Sequence, residues 1–256
     1  MDDFGKRDGA ALVAGGTGGI GAAVVRVLAQ RGSDIGLTYR ANRAAAEALT
    51  KDVVQEGRSC EAWALDLADS DAVAEVVARF EQRFGALHTV VYAAGPHVPM
   101  VHLSGVSPQQ YREQLNADAA AFFNLMHATL PLLRRSRGSV VAVTTAATRR
   151  YPVRDGLSSG PKAAVEAVAR GLAVEEGRYG IRVNCVGPGM LTDGMAERLI
   201  SSGDLDEAAL EVARRNIPLR RFGDADDIAE AVAFLASDRA DFISGQSLDV
   251  DGGYTV

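Results

Sequence analysis

Along this chain, runs of buried-type apolar residues alternate with stretches in which apolar residues recur every three or four positions. Ala10–Ala14 is a short unbroken apolar run, the pattern of a strand covered on both faces. Beyond a cluster of glycines, Ala22–Gln30 resumes as a helix. Asp34–Arg40 predicts a second strand, Ala45, Ala48, Leu49 and Val53 a second helix, and Cys60–Leu65 a third strand closed by Asp66. Val73, Val76, Val77, Phe80 and Phe84 repeat at helical spacing with charges between them. Leu87–Ala94 predicts a fourth strand ending at Gly95-Pro96, followed by a long helical region over about 108–135. Ser139–Thr145 predicts a fifth strand, Lys162–Glu176 a helix, and Ile181–Val186 a sixth strand halted by Gly187-Pro188-Gly189. Helices over about 193–201, 206–215 and 226–236 precede a last strand near 247–250. Such alternation predicts one α/β domain over residues 1–256, a doubly wound, mostly parallel seven-stranded sheet with helices on both faces. Residues 190–215 are expected to be paired helices beside the sheet, a substrate lid.

The junction Gly15-Gly-Thr-Gly-Gly-Ile-Gly21 organises the rest. Gly15 is expected to permit a tight turn, Gly19 close approach of a ligand, and Gly21 tight packing of helix on sheet. The exposed N–H groups and the helix dipole then favour an anion, most simply a pyrophosphate, as in a Rossmann-type sheet.

Composition narrows the choices. With 256 residues and 47% hydrophobic content the chain can bury a full core. No apolar run reaches membrane-spanning length, and Met1–Ala10 lacks a signal-peptide core, so no membrane partner is expected. Cys60 and Cys185 are far apart without metal-type spacing, which predicts no metal site and a reducing, cytoplasmic setting. A net charge of −6 without a basic block argues against nucleic acid. Lys6, Lys51 and Lys162 are the only lysines among 27 lysines and arginines, which singles out Lys162.

From Ala14-Gly15-Gly-Thr-Gly-Gly19-Ile-Gly21 through Tyr92-Ala-Ala-Gly95, Asn116 and Pro188-Gly189 to Arg221-Phe-Gly, Ser244-Gly245 and Asp251-Gly-Gly253, the chain resembles the short-chain dehydrogenase/reductase family over nearly its whole length. The resemblance implies nicotinamide-nucleotide contacts from Gly15, Thr17, Gly18, Gly19, Ile20, Asp66, Leu67, Ala93, Ala94, Gly95, Lys162, Pro188, Gly189 and Thr192. At the end of the second strand an acid would select NAD; Tyr39-Arg40 stands there instead, and Arg40 suits a 2′-phosphate, so NADP(H) is expected. Asp66 reads equally as a cap of the following helix.

The family's chemistry rests on Asn, Ser and a Tyr-x-x-x-Lys pair. The corresponding residues here are Asn116, Thr145, Ser158 and Lys162, so serine stands in the tyrosine place. An aliphatic hydroxyl is a far weaker acid than a phenol, and it is shorter by a ring. Pro161 fits only a first helical turn, which favours Ser158 or Ser159 as an N-cap. Tyr151, flanked by Arg149, Arg150 and Arg154, is the best alternative proton donor, with His97 second and Tyr92 and His102 behind it. Dienoyl-CoA reductases of the family also carry Ser in S-x-x-x-K and use an earlier tyrosine, a position matched here near Ala147.

The leading expectation is an NADP(H)-dependent reductase of a ketone- or quinone-type small molecule in biosynthesis, with a non-standard proton donor. Enoyl or dienoyl (C=C) reduction is the alternative, and a redox-inactive nucleotide-binding protein or cyclase is the reading from another class. The helix after Lys162 is apolar nearly all round (Ala163, Val165, Val168, Leu172, Val174), which points to burial against another subunit; the family implies a homotetramer.

Overall fold

The computed structural model describes residues 2–192 and 207–256. Strands β1 (Ala10–Ala14), β2 (Asp34–Tyr39), β3 (Cys60–Ala64), β4 (Leu87–Tyr92), β5 (Ser139–Val143), β6 (Arg182–Pro188) and β7 (Ser247–Val250) form one sheet in the order β3-β2-β1-β4-β5-β6-β7. Every pairing is parallel. The doubly wound prediction therefore holds among the described residues.

Helices α1 (Gly19–Gln30), α2 (Arg43–Gln55) and α8 (Ala225–Ala236) cover one face. On the other lie α3 (Ser70–Phe84), α5 (Ala121–Ser136) and α6 (Gly156–Glu176). The split follows the strand period: Ala10, Leu12 and Ala14 join one core, Ala11 and Val13 the other. Helix α4 (Pro108–Leu115) runs into α5 through a π-turn at Asn116–Ala120, and α7 spans Glu207–Arg215. From β1 the chain winds outward through β2 to β3, then crosses back to β4 on the other side of β1 and winds outward the opposite way. Ligand crevices open at that reversal, at the carboxyl ends of the strands.

Local chemistry sets the helix starts, and two differ from expectation. Asp69, not Asp66, caps α3, its carboxylate accepting from the N–H groups of Asp71 and Ala72 at 3.0 Å each. Helix α6 begins at Gly156, well before Lys162. The Asp155 carbonyl accepts from the N–H groups of Ser158 (3.0 Å) and Ser159 (2.9 Å), which winds the chain into a helix there. Ser158 and Ser159 thus lie inside the first turn rather than capping it, and Pro161 lies within the helix instead of at its start. Residues 193–206 of the expected lid lie outside the described residues; of the rest, Leu191 bridges Gly223 and α7 is a helix as expected.

Candidate active site

The glycine turn closes β1 onto α1 by contact. Gly15 has φ +78°, and a Cβ there would come within 2.7 Å of the Ala94 Cα. A Cβ on Gly21 would lie 2.1 Å from the Gly15 carbonyl oxygen. Gly18 and Gly19, by contrast, are exposed, Thr17 and Ile20 are half-buried, and no side chain caps the first turn of α1. Two glycines therefore serve the turn, and two leave a bare helix start facing outward.

Other predicted nucleotide contacts lie around the same edge. Ala93, Ala94 and Gly95 leave the end of β4, tied to β1 where the Ala93 N–H donates to the Ala14 carbonyl (2.9 Å). Leu67 is buried after β3, its carbonyl accepting from Asn124 Nδ2 at 3.0 Å. Arg40 and Asp66 are both exposed and only 3.7 Å apart, a loose surface pair worth little to stability. Pro188 ends β6; the Gly189 N–H donates to the Val250 carbonyl (3.0 Å), and a Cβ at Gly189 would strike Asp251 at 2.7 Å. Beyond it the Thr192 N–H donates to the Gly223 carbonyl at 2.9 Å.

Lys162 projects from α6 to this edge. Its Nζ donates to the Ala94 carbonyl (3.1 Å) and to Asp118 Oδ1 (3.0 Å), and it sits 5.1 Å from the Tyr92 ring centroid. Asp118, 3% exposed, also accepts from the Tyr92 hydroxyl at Oδ1 (3.0 Å) and at its main-chain oxygen (2.9 Å). A buried ammonium, carboxylate and phenol thus lock together beneath the carboxyl ends of β1 and β4.

Asn116, expected in this place, is exposed. Two residues turn a helix by about 200°, so Asn116 and Asp118 face nearly opposite ways. Asp118 shares the buried side of this helical region with Phe122 and Leu125. The π-turn concealed it, because a continuous α-helical count does not hold across Asn116–Ala120.

The remaining polar groups divide between used and available. Thr145 lies two residues past β5 with its Oγ1 accepting from the Ala147 N–H (3.2 Å), which leaves its O–H free to donate elsewhere. Ser158 is half-buried one turn before Lys162 on the same face of α6, its N–H donating to the Asp155 carbonyl at 3.0 Å. Burial pushes the Asp155 carboxyl up to about 6, against the opposing effect of Ser158.

Tyr92 is fully buried against Phe122, ring centroids 5.2 Å apart. Burial first, and Asp118 second, hold its phenol well above the ordinary range, which removes it as a proton donor. Tyr151 is exposed, and its expected arginine neighbours are engaged elsewhere. Arg149 pairs with Asp249 and donates to the Ser247 carbonyl (3.1 Å); Arg150 donates to the Tyr254 carbonyl (2.6 Å) and covers that ring. Arg154 Nε lies 3.4 Å from His102 Nε2. His97 and His102 are exposed.

Comparison with known proteins agrees with this geometry. A family model described as enoyl-(acyl carrier protein) reductase matches residues 14–255. Versicolorin reductase 1 of Aspergillus parasiticus is 33% identical over 261 residues, covering 99% of each chain. The 3-oxoacyl-(acyl-carrier-protein) reductase of Staphylococcus epidermidis is 31% identical over 95% of this chain and 97% of its own. A short-chain dehydrogenase of Burkholderia cenocepacia, solved in complex with NADP, is 31% identical and superimposes over the full length of both chains with a TM-score of 0.87. With its sheet order, its glycine turn and its relatives all in agreement, the chain belongs to the short-chain dehydrogenase/reductase family.

Proposed function

We propose that this protein is an NADP(H)-dependent reductase that delivers hydride to the carbonyl carbon of a ketone- or quinone-type small molecule. The observation that carries the reading is Lys162, oriented at the topological switch point by the Ala94 carbonyl and Asp118. Relatives named as reductases of 3-oxoacyl and versicolorin substrates support a carbonyl as the target.

The residues fit a dinucleotide. Gly18 and Gly19 present the uncapped start of α1 to a pyrophosphate without side chains in the way. Arg40, held only loosely by Asp66, has its guanidinium available for a 2′-phosphate. A Cβ at Gly95 would meet the Lys162 ammonium at 3.6 Å, so the bare glycine keeps the floor beside the lysine open. When bound, the reduced nicotinamide supplies the hydride.

The chain's own residues do the rest. Lys162 holds ribose hydroxyls with the donor capacity left after Ala94 and Asp118 take their share. Thr145 directs its O–H at the carbonyl oxygen and polarises it, in the place of the family serine. At position 158 serine stands where the family carries its proton-donating tyrosine, so the proton reaches the oxygen by another route. Tyr151 stands at the exposed rim as a wall of the substrate entrance. The apolar outer face of α6, with Ala163, Ala167 and Val174 exposed, supports assembly into a homotetramer.

The test is product analysis with a panel of ketones, quinones and enoyl thioesters and NADPH carrying deuterium at the transferred position. Label on a carbinol carbon is expected. Label on a saturated carbon would replace carbonyl reduction with C=C reduction. NADPH binding without label transfer across the panel would favour a redox-inactive role.

A further inference from the structure

We infer that Glu166 is a positioning residue: it fastens the turn that carries Thr145 to the same helix that carries Lys162, and so fixes the spacing between those two groups. The inference rests on the carbonyl-reductase reading above and goes beyond it, to the part of the fold that keeps Thr145 in place.

Glu166 is 7% exposed, and a carboxylate so deeply buried needs partners. Its Oε1 accepts from the Thr144 hydroxyl at 3.1 Å and from the Thr148 hydroxyl at 3.0 Å. These two threonines stand on either side of Thr145 in Thr144-Thr145-Ala146-Ala147-Thr148. Each hydroxyl has a second acceptor within reach, the Val186 carbonyl at 3.3 Å for Thr144 and the Thr145 carbonyl at 3.1 Å for Thr148. A hydroxyl has one proton to give, and an ionised acceptor draws it more strongly than a neutral carbonyl, so both protons go to Glu166. The other carboxylate oxygen, Oε2, is turned to Arg170 one helical turn on, at 4.0 Å.

What Glu166 holds is a short 3₁₀ turn over Ala146–Thr148. Thr145 starts it in extended backbone, its Oγ1 accepting from the Ala147 N–H. Strand β6 closes the other side: the Thr144 N–H donates to the Val186 carbonyl at 2.8 Å, and a Cβ on Gly187 would lie 3.3 Å from the Ala146 nitrogen and from the Thr145 carbonyl carbon. Past the turn, Arg149 is fixed by Asp249 and Arg150 by the Tyr254 carbonyl. Main-chain bonds thus secure the strand end and the arginines secure the exit. Between them, Glu166 attaches the turn to α6.

Lys162 and Glu166 are four residues apart, on one face of that helix. One rigid element therefore carries the ammonium to Ala94 and Asp118 and the carboxylate to the turn of Thr145. An apolar side chain of the same size would fill the space equally well, at no cost in buried charge. It would leave both hydroxyls to the nearby carbonyls and release the turn from α6. Holding the turn is what the carboxylate adds.

Steady-state kinetics with a carbonyl substrate, calorimetric titration of NADPH and thermal melts of the same variants test the assignment. Glu166→Ala should lower kcat about 10–100-fold, the cost of a displacement of about an ångström at a reacting group, with KM and NADPH affinity within about threefold of the wild type. Glu166→Gln keeps an acceptor oxygen for both threonines and should restore kcat to within about threefold. In a Thr145→Ala background, Glu166→Ala should lower the residual kcat no further, because a residue acting through Thr145 then has nothing left to position. A merely structural role would give two losses that multiply. Thr148→Val removes one donor and leaves the carboxylate; it should lower kcat about 3–10-fold, and it carries the comparison if Glu166→Ala does not fold. Wild-type kcat in Glu166→Ala or in Thr148→Val, or losses that multiply in the double variant, overturns the positioning role while carbonyl reduction stands. A wild type that transfers no hydride to any carbonyl overturns both.

Discussion

Replacing Asp118 with alanine removes the carboxylate paired with Lys162, whose side chain is 12% exposed against 4% for its partner. Breaking a buried ion pair from one side costs about 3–5 kcal/mol, because the other charge stays behind without compensation. Two remaining contacts place this case at the low end. Lys162 keeps the Ala94 carbonyl at 3.1 Å, and the Tyr92 hydroxyl keeps the main-chain oxygen of residue 118 at 2.9 Å. A loss of about 3 kcal/mol is therefore expected, which in a domain of this size lowers Tm by roughly 6–12 °C. Asp118→Asn keeps an acceptor oxygen for both partners and should cost about 1 kcal/mol. The double variant Asp118→Leu/Lys162→Met removes both charges and should recover most of the loss, since an apolar pair of similar volume replaces the ion pair with little penalty. Urea and thermal unfolding of these proteins at pH 7, with Asp118→Leu and Lys162→Met alone to complete the cycle, give the comparison. Single variants within 0.5 kcal/mol of wild type, or losses that simply add in the double variant, would refute the locked ammonium–carboxylate–phenol arrangement.

Three further outcomes follow from the same geometry. Arg40→Ala should weaken NADPH binding by about 10–100-fold with little change for NADH, because one charge-assisted contact to a phosphate is worth about 1.5–3 kcal/mol; competitive fluorescence titration measures the ratio. Asp155→Asn should stabilise the protein above pH 6, less at pH 4, and leave it unchanged below about pH 3. The folded-state carboxyl is raised from 3.8 to about 6, so the ionised form costs at most about 3 kcal/mol, a cost fully present at neutral pH and absent once both folded and unfolded chains are protonated; melting curves at pH 4, 6 and 8 check the sign. Gly15→Ala should prevent stable folding or cost several kcal/mol, since φ +78° and a 2.7 Å approach to Ala94 both oppose a side chain; circular dichroism of the purified variant decides it.

How far these features were legible depends on the kind of signal each residue carries. Fully buried strands such as Ala10–Ala14 and Ser139–Val143 announce themselves as apolar runs, so the sheet and its order of elements follow directly. The glycine turn is equally plain, because φ +78° at Gly15 and the contact at Gly21 are demands that only glycine meets. Position within a helix is harder. Asn116 was the natural choice until a π-turn shifted the register and brought Asp118 inward. Pro161 pointed to a helix start, but the Asp155 carbonyl winds α6 earlier and the proline is absorbed inside it. Side-chain pairing lies further still from sequence: nothing in Arg149-Arg150-Tyr151 shows that both arginines reach away to the C-terminal tail. The Tyr92–Asp118–Lys162 cluster joins residues from β4, a helical kink and α6, a meeting that only the folded topology creates.

The most direct measurement is calorimetric titration of NADPH into the wild-type protein and Lys162→Ala. One nucleotide per chain is expected to bind the wild type, and loss of the ammonium contacts to the ribose should weaken it by at least tenfold, the lower end of what hydrogen bonds to a charged group contribute. No heat with either protein, or the same affinity in both, would contradict a dinucleotide clamped by Lys162 at the carboxyl edge of the sheet.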